Sequence, residues 1–176
     1  MTDSSFVASA IAPNLAVIRQ GGDLLTIIGT ERYTHRVPMV YNASIGGHLR
    51  HIIEHYQSFF RGLESGRLDY EQRARNAAIE TDPAFACDVL AAIAGRLESL
   101  GAKLSNHALD YCAETNPGRL SLTSLVRELE FLLSHTVHHY ALVAVMCRLQ
   151  DFEPEPSFGV APSTLRYQAT LLPCAR

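Results

Sequence analysis

Histidine gives this chain its chemistry. Six of the eight histidines fall in two short segments, His48-Leu-Arg-His51-Ile-Ile-Glu54-His55 and His135-Thr-Val-His138-His139. Each segment reads as helix, and each places histidines four residues apart. Residues i and i+4 lie one above the other on a helix face, so two such imidazoles can hold one metal ion without bending the backbone. A facing helix then supplies a third nitrogen. Three protein ligands and an open position make a reactive rather than a structural transition-metal site.

His135 and His139 lie well inside an apolar helical pattern. A buried neutral imidazole without a partner is costly, and ligation removes that cost for both rings. His138 could stand in for His139, but the i,i+4 pair points more nearly in one direction, which favours His135 with His139. On the other helix His48, His51 and His55 each qualify as the third ligand, and spacing alone does not choose among them. The competing reading makes these histidines hydrogen-bonded core or groove residues with no ion.

Two acids accompany the histidines. Glu128 lies seven residues before His135, two turns along the same face. It is the candidate catalytic residue, as an acceptor for a ligand N–H or as a general base beside the metal. The plainer alternative is a first-turn carboxylate favoured by the helix dipole. Glu54 reads as a solvated surface acid. Arg73, Arg75 and Glu80 fall between two helices. There an arginine near a metal cleft can hold a carboxylate bidentately or simply fasten the loop.

These residues need helices to carry them. Residues 1–12 read as a loose arm, and Pro13-Asn14 as the opening of a first helix that Gly21-Gly22 interrupts or bends. Ser44 is a good N-cap for a second helix running to about Gly66. Residues 67–82 are polar and irregular, with room for a helical turn. Asp82-Pro83 starts a third helix whose apolar positions are Phe85, Val89, Ile93, Leu97 and Leu100. Residues 102–122, with Asn116-Pro117-Gly118, read as a small hairpin or extended loop. Thr123 or Ser124 caps the fourth and clearest helix, which runs to about Gln150 with Leu125, Leu129, Leu132, Leu133, Val137, Ala141, Ala144, Val145 and Leu149 as apolar positions. Residues 151–176 form a tail. Four long helical patterns imply an all-α four-helix bundle in one domain spanning 1–176.

Composition narrows the function. At 176 residues, 47% apolar, 19% charged and net −3, the chain can bury a proper core and has no basic stripe for nucleic acid. No apolar run reaches the roughly 18 residues of a membrane span, and the N-terminus lacks a secretory pattern. The four cysteines, Cys87, Cys112, Cys147 and Cys174, show no C-x-x-C spacing. Reduced thiols and a cytoplasmic protein are expected.

The segments Ser44-Ile-Gly-Gly-His-Leu-Arg-His51-Ile-Ile-Glu-His55 and Arg127-Glu-Leu-Glu-Phe-Leu-Leu-Ser-His135-Thr-Val-His138-His139-Tyr resemble the ligand motifs of the DinB-like superfamily of four-helix metalloproteins, over roughly residues 14–150. The resemblance implies one divalent transition metal (zinc, nickel or iron), with His51 as the single ligand of the second helix and His135 and His139 as the later pair. It makes His48, His55 and His138 extra histidines. It implies a metal-dependent hydrolase or thiol-dependent transferase acting on a small-molecule substrate or thiol, and points to a homodimer. A non-catalytic metal- or ligand-binding bundle is the alternative.

Overall fold

Helix signals in the sequence dictate most of the architecture of the computed structural model, which describes residues 3–101, 105–116 and 118–171. Helix α1 spans Asp3–Ile27, α2 Thr30–Thr34, α3 Ile45–Ser65, α4 Ala77–Thr81, α5 Pro83–Gly101, α6 Leu125–Arg148 and α7 Pro162–Leu171. Ser44 starts α3 as expected, its hydroxyl accepting from the Gly47 N–H at 2.9 Å. Gly66 ends that helix at φ 76°, a left-handed conformation that glycine adopts without a Cβ penalty. The Asp82 carboxylate accepts from the Ala84 and Phe85 N–H groups at 2.9 and 3.2 Å, which caps α5 ahead of Pro83. Of the two candidate caps for α6, Ser124 is the one used.

The N-terminal arm is a correction. Residues 3–12 are helical, and Pro13 lies inside α1 rather than at its start. Val7, Ala10 and Ile11 are buried, so burying an apolar face extends the helix through proline's missing N–H. Gly21-Gly22 does not break α1 either. A Cβ at Gly21 would stand 2.0 Å from the Tyr140 hydroxyl, so Gly21 lets α1 approach α6 closely. The C-terminal tail carries α7, which buries none of its residues.

Among the long helices, α1 packs on α5 and α6, and α3 packs on α5 and α6. The core between them includes Ile18, Leu49, Ile52, Phe59, Leu97, Leu132 and Val143. Two apolar stripes sit differently from expectation. In α5 the buried positions are Ala86, Leu90, Ile93 and Leu97, with Phe85 exposed. In α6 Val145 is exposed, as is Leu149 just past its end, while Tyr140, Met146 and Cys147 are buried.

Short strands tie the connections. Strands β1 (Arg36–Val37) and β2 (Ala43–Ser44) pair antiparallel ahead of α3. The hairpin expected before the last long helix is present: β4 (Ala108–Cys112) and β5 (Leu120–Ser124) pair antiparallel, Ala108 opposite Ser124. Strand β3 (Arg67–Leu68) joins β4 in parallel. The hairpin turn residue Pro117, Lys103 and Cys174 lie outside the described residues. Cys87, Cys112 and Cys147 are free thiols.

Candidate metal centre

Helices α3 and α6 bring both histidine segments to one place. His135 Nε2 lies 3.1 Å from His51 Nε2 and 3.1 Å from His139 Nε2. His51, His55 and His135 each offer a ring nitrogen, all within 4.8 Å of one another. His135 is therefore the member common to both groupings. His48 joins at the far side, its Nδ1 2.9 Å from His139 Nδ1. His138 is exposed and touches the cluster only edge-on through the His139 ring, with centroids 5.3 Å apart.

Hydrogen bonds fix which ring nitrogens carry protons. Arg73 Nη1 lies 2.7 Å from His51 Nδ1. A guanidinium only donates, so Nδ1 accepts and the neutral His51 ring carries its proton on Nε2. That proton points to His135 Nε2. The His135 Nε2 lone pair serves one N–H, so the His139 Nε2 contact at 3.1 Å is a close approach of two ring nitrogens rather than a second hydrogen bond, and the proton between His48 Nδ1 and His139 Nδ1 can sit on either ring. His55 is held separately, its Nδ1–H donating to the His51 carbonyl at 2.7 Å, which leaves its Nε2 with a free lone pair. Two ring nitrogens, His48 Nε2 and His135 Nδ1, are buried with no partner.

The rings are neutral at pH 7. Burial first, then the neighbouring histidines, push His51 down to about 3 and His135 to about 2. The same causes push His139 to about 4. Burial also lowers His48 and His55. Neutral imidazoles crowded together, with a free lone pair on His55 and orphaned nitrogens on His48 and His135, are a donor set that a divalent transition metal fits; His51 alone has its lone pair engaged, by Arg73.

A cleft of about 400 Å³ opens on the cluster, lined by Arg36, Tyr41, Asn42, His48, His51 and His139 among others. In its lining Arg50 pairs with Glu80 at 2.5 Å, and Arg36 reaches the same carboxylate at 3.6 Å. Glu80 thus fastens the rim, while Arg75 is an exposed loop residue at φ 51°.

The acids stand differently from expectation. Glu54 is buried rather than solvated, because its carboxylate accepts the Asn76 N–H at 2.9 Å and ties the loop after β3 to α3. Glu128 is also buried. Its two oxygens accept from Tyr70 Oη at 2.8 Å and Thr123 Oγ1 at 2.6 Å. The Tyr70 ring in turn stacks on His55, centroids 5.3 Å apart, and Phe131 stacks on His135 at 5.5 Å. Glu128 therefore stands behind an aromatic wall, one residue removed from the rings. On its far side a cavity of about 410 Å³ is lined by Tyr70, Tyr111, Leu122, Arg127, Glu128 and Phe131, among others. Sequence reasoning missed this wall. Phe131 was within reach, four residues before His135 on the same helix face, whereas nothing local marks Tyr70.

No curated protein and no solved structure matches the chain. The DinB superfamily does match, over residues 23–143, a span that holds more than half the chain and every histidine of the cluster. The chain whose α3 and α6 bring these histidines together is a member of the DinB superfamily.

Proposed function

We propose that this chain is a metal-dependent enzyme, of hydrolase or thiol-transferase class, whose divalent transition metal (zinc, nickel or iron) is held by His51, His135 and His139. The observation that carries this reading is the meeting of three Nε2 atoms from two helices at His135. The chain's resemblance to the superfamily's ligand motifs selects the same three. His55 is close enough to His51 and His135 to serve as a fourth imidazole.

When bound, such an ion supplies Lewis acidity at an open position. The protein's own contribution follows from its side chains. Neutral imidazoles bring no negative charge, so the site favours an anionic substrate group such as a carboxylate or thiolate. The cleft beside His48 and His139 admits it. The aromatic wall of Tyr70 and Phe131 keeps water from the opposite side of His55 and His135. Glu128 acts at one remove, accepting from the Tyr70 hydroxyl and so holding that ring against His55; burial and the Glu128 charge keep the Tyr70 proton on its own oxygen.

Elemental analysis of protein purified without a metal-affinity tag tests the centre. About one equivalent of metal is expected, and less than about a tenth even after metal addition rejects a site of ordinary affinity. Activity is tested on ester and thiol-adduct substrates with His135→Ala and Glu128→Gln. Both variants are expected to lose turnover, with Glu128→Gln keeping its metal. The double engagement of Glu128 by Tyr70 and Thr123 favours a second reading, a non-catalytic metal- or ligand-binding bundle. That reading wins if the wild type turns over nothing and His135→Ala merely melts earlier.

The assembly belongs to the same proposal: one cytoplasmic domain, its four long helices a mostly antiparallel four-helix bundle, paired as a homodimer. The exposed Val145 near the end of α6 and Leu149 just after it support pairing. Among the described residues, no helix is long and apolar enough to cross a membrane. Sedimentation at micromolar concentration that shows only a 19.4 kDa species would exclude the dimer.

A further inference from the structure

His51 and His55 are held in opposite ways. A ligating histidine ordinarily gives its second ring N–H to a carbonyl, carboxylate or water, which leaves the other nitrogen's lone pair free for the metal. His55 meets that pattern through the His51 carbonyl. His51 meets its reverse. The Arg73 guanidinium donates to Nδ1 at 2.7 Å, so the proton sits on Nε2, the nitrogen that faces His135. The nitrogen with the lone pair is the one Arg73 covers, and the uncovered nitrogen carries the proton. Neither can bind a metal while this contact stands.

Arg73 is placed to hold that position. Its side chain is only 17% exposed, and Glu71 stands 4.0 Å away as a distant, exposed counter-charge. Its Nε is buried with no partner. The short contact to His51 is thus the main satisfaction of a buried cation, on a loop whose other end is tied down by Asn76 on Glu54.

We propose that Arg73 is a built-in competitor of the metal, holding His51 in the tautomer that cannot ligate, so that metal uptake requires the guanidinium to withdraw from Nδ1. Repulsion between a dication and the guanidinium acts in the same direction. This inference rests on the metal-centre reading and deepens it. Arg73 is a positioning residue that acts through His51. Metal binding at this centre is coupled to movement of the loop between β3 and α4.

Two measurements test it. In metal-free wild type, a long-range proton–nitrogen correlation spectrum is expected to show His51 protonated at Nε2. In Arg73→Met, which keeps the aliphatic stem and removes the donor and charge, the His51 proton shifts toward Nδ1. Competition against a chromophoric chelator then reads the zinc Kd. Arg73→Met is expected to bind zinc at least about tenfold tighter than wild type, the scale on which partners of ligating histidines act. Arg73→Lys, which keeps a charged donor, stays close to wild type. Wild-type His51 protonated at Nδ1 overturns the inference whether or not the variants fold. Equal or weaker zinc affinity in Arg73→Met overturns it while leaving the metal centre intact. Failure of wild type and Arg73→Met alike to take up zinc overturns both.

Discussion

Two polar clusters lie between α3 and α6, one buried and reaching α1, the other part-buried and open to a cleft, and they are built to different standards. One centres on Asn14 of α1. Its Nδ2 donates to the Ala10 carbonyl at 2.9 Å and the Leu129 carbonyl at 3.0 Å. Its Oδ1 accepts from Tyr56 Oη at 2.6 Å, and Tyr56 Oη accepts from Thr136 at 3.4 Å. The other centres on His135, the neighbour of Thr136 in sequence, and on His55, the neighbour of Tyr56. Adjacent residues on two helices thus feed opposite clusters. In the first, the polar side-chain atoms of Asn14, Tyr56 and Thr136 find partners. In the second, His48 Nε2, His135 Nδ1 and Arg73 Nε find none. A satisfied network rigidifies a core, whereas an unsatisfied one costs stability and needs another reason to persist. The proposed metal supplies that reason.

The comparison breaks if the two clusters respond alike to truncation. The largest effect expected is His135→Ala on metal affinity. Its ring is common to both candidate groupings, so the loss exceeds the roughly 100-fold that removing an outer partner costs. Competition titration with zinc measures it, and a loss below tenfold would show that His135 is not a ligand. Stability of the metal-free protein should fall much less, because the ring removed was incompletely bonded. Asn14→Leu should do the converse. It leaves the buried Tyr56 hydroxyl without its acceptor and is expected to cost about 2 kcal/mol of unfolding free energy, with zinc affinity unchanged. Urea unfolding with the metal absent reads the first quantity. A variant as stable as wild type would mean the Asn14 network is not structural.

Much of this was legible in the sequence, and the exceptions have causes. The caps at Ser44, Asp82 and Ser124 work through hydrogen bonds to residues two or three positions away, so local pattern sufficed. Helical spacing suffices to pair His135 with His139, whereas spacing leaves His48, His51 and His55 open and only the family resemblance selects His51; the structure brings His55 as well as His51 to His135. What failed depends on distant contacts. The first helix runs through Pro13 because Val7, Ala10 and Ile11 find a core to bury in, which no local rule reveals. Glu54 looked solvated because polarity predicts exposure until the Asn76 N–H from the following loop claims it. Arg73 looked like a loop fastener because its approach to His51 depends on how residues 69–76 fold back over α3. Glu128 reads as a neighbour of the histidines from spacing, but it stands behind Tyr70, whose position has no signature in the chain around it.

The effect that sharpens the comparison in solution is the response of metal-free stability to acid. Burial, with the neighbouring histidines adding to it, holds His51 near 3 and His139 near 4 in the folded protein, against about 6.5 in an unfolded chain. Between those values the unfolded chain binds protons that the folded one refuses. Stability is then whole above about pH 6.5 and is lost progressively as the pH falls below it. The Asn14 network adds nothing in this window, because Asn14 and Thr136 do not titrate and burial drives the Tyr56 hydroxyl further above the neutral range. Thermal melts of metal-free wild type, His135→Ala and Asn14→Leu from pH 7.5 to 5 should therefore give wild type and Asn14→Leu the same steep decline from different starting points. His135→Ala should decline less, since it has lost one depressed imidazole and relieved the crowding on the others. Equal slopes for wild type and His135→Ala would mean that water reaches the rings freely, and that the second cluster is not the unsatisfied one.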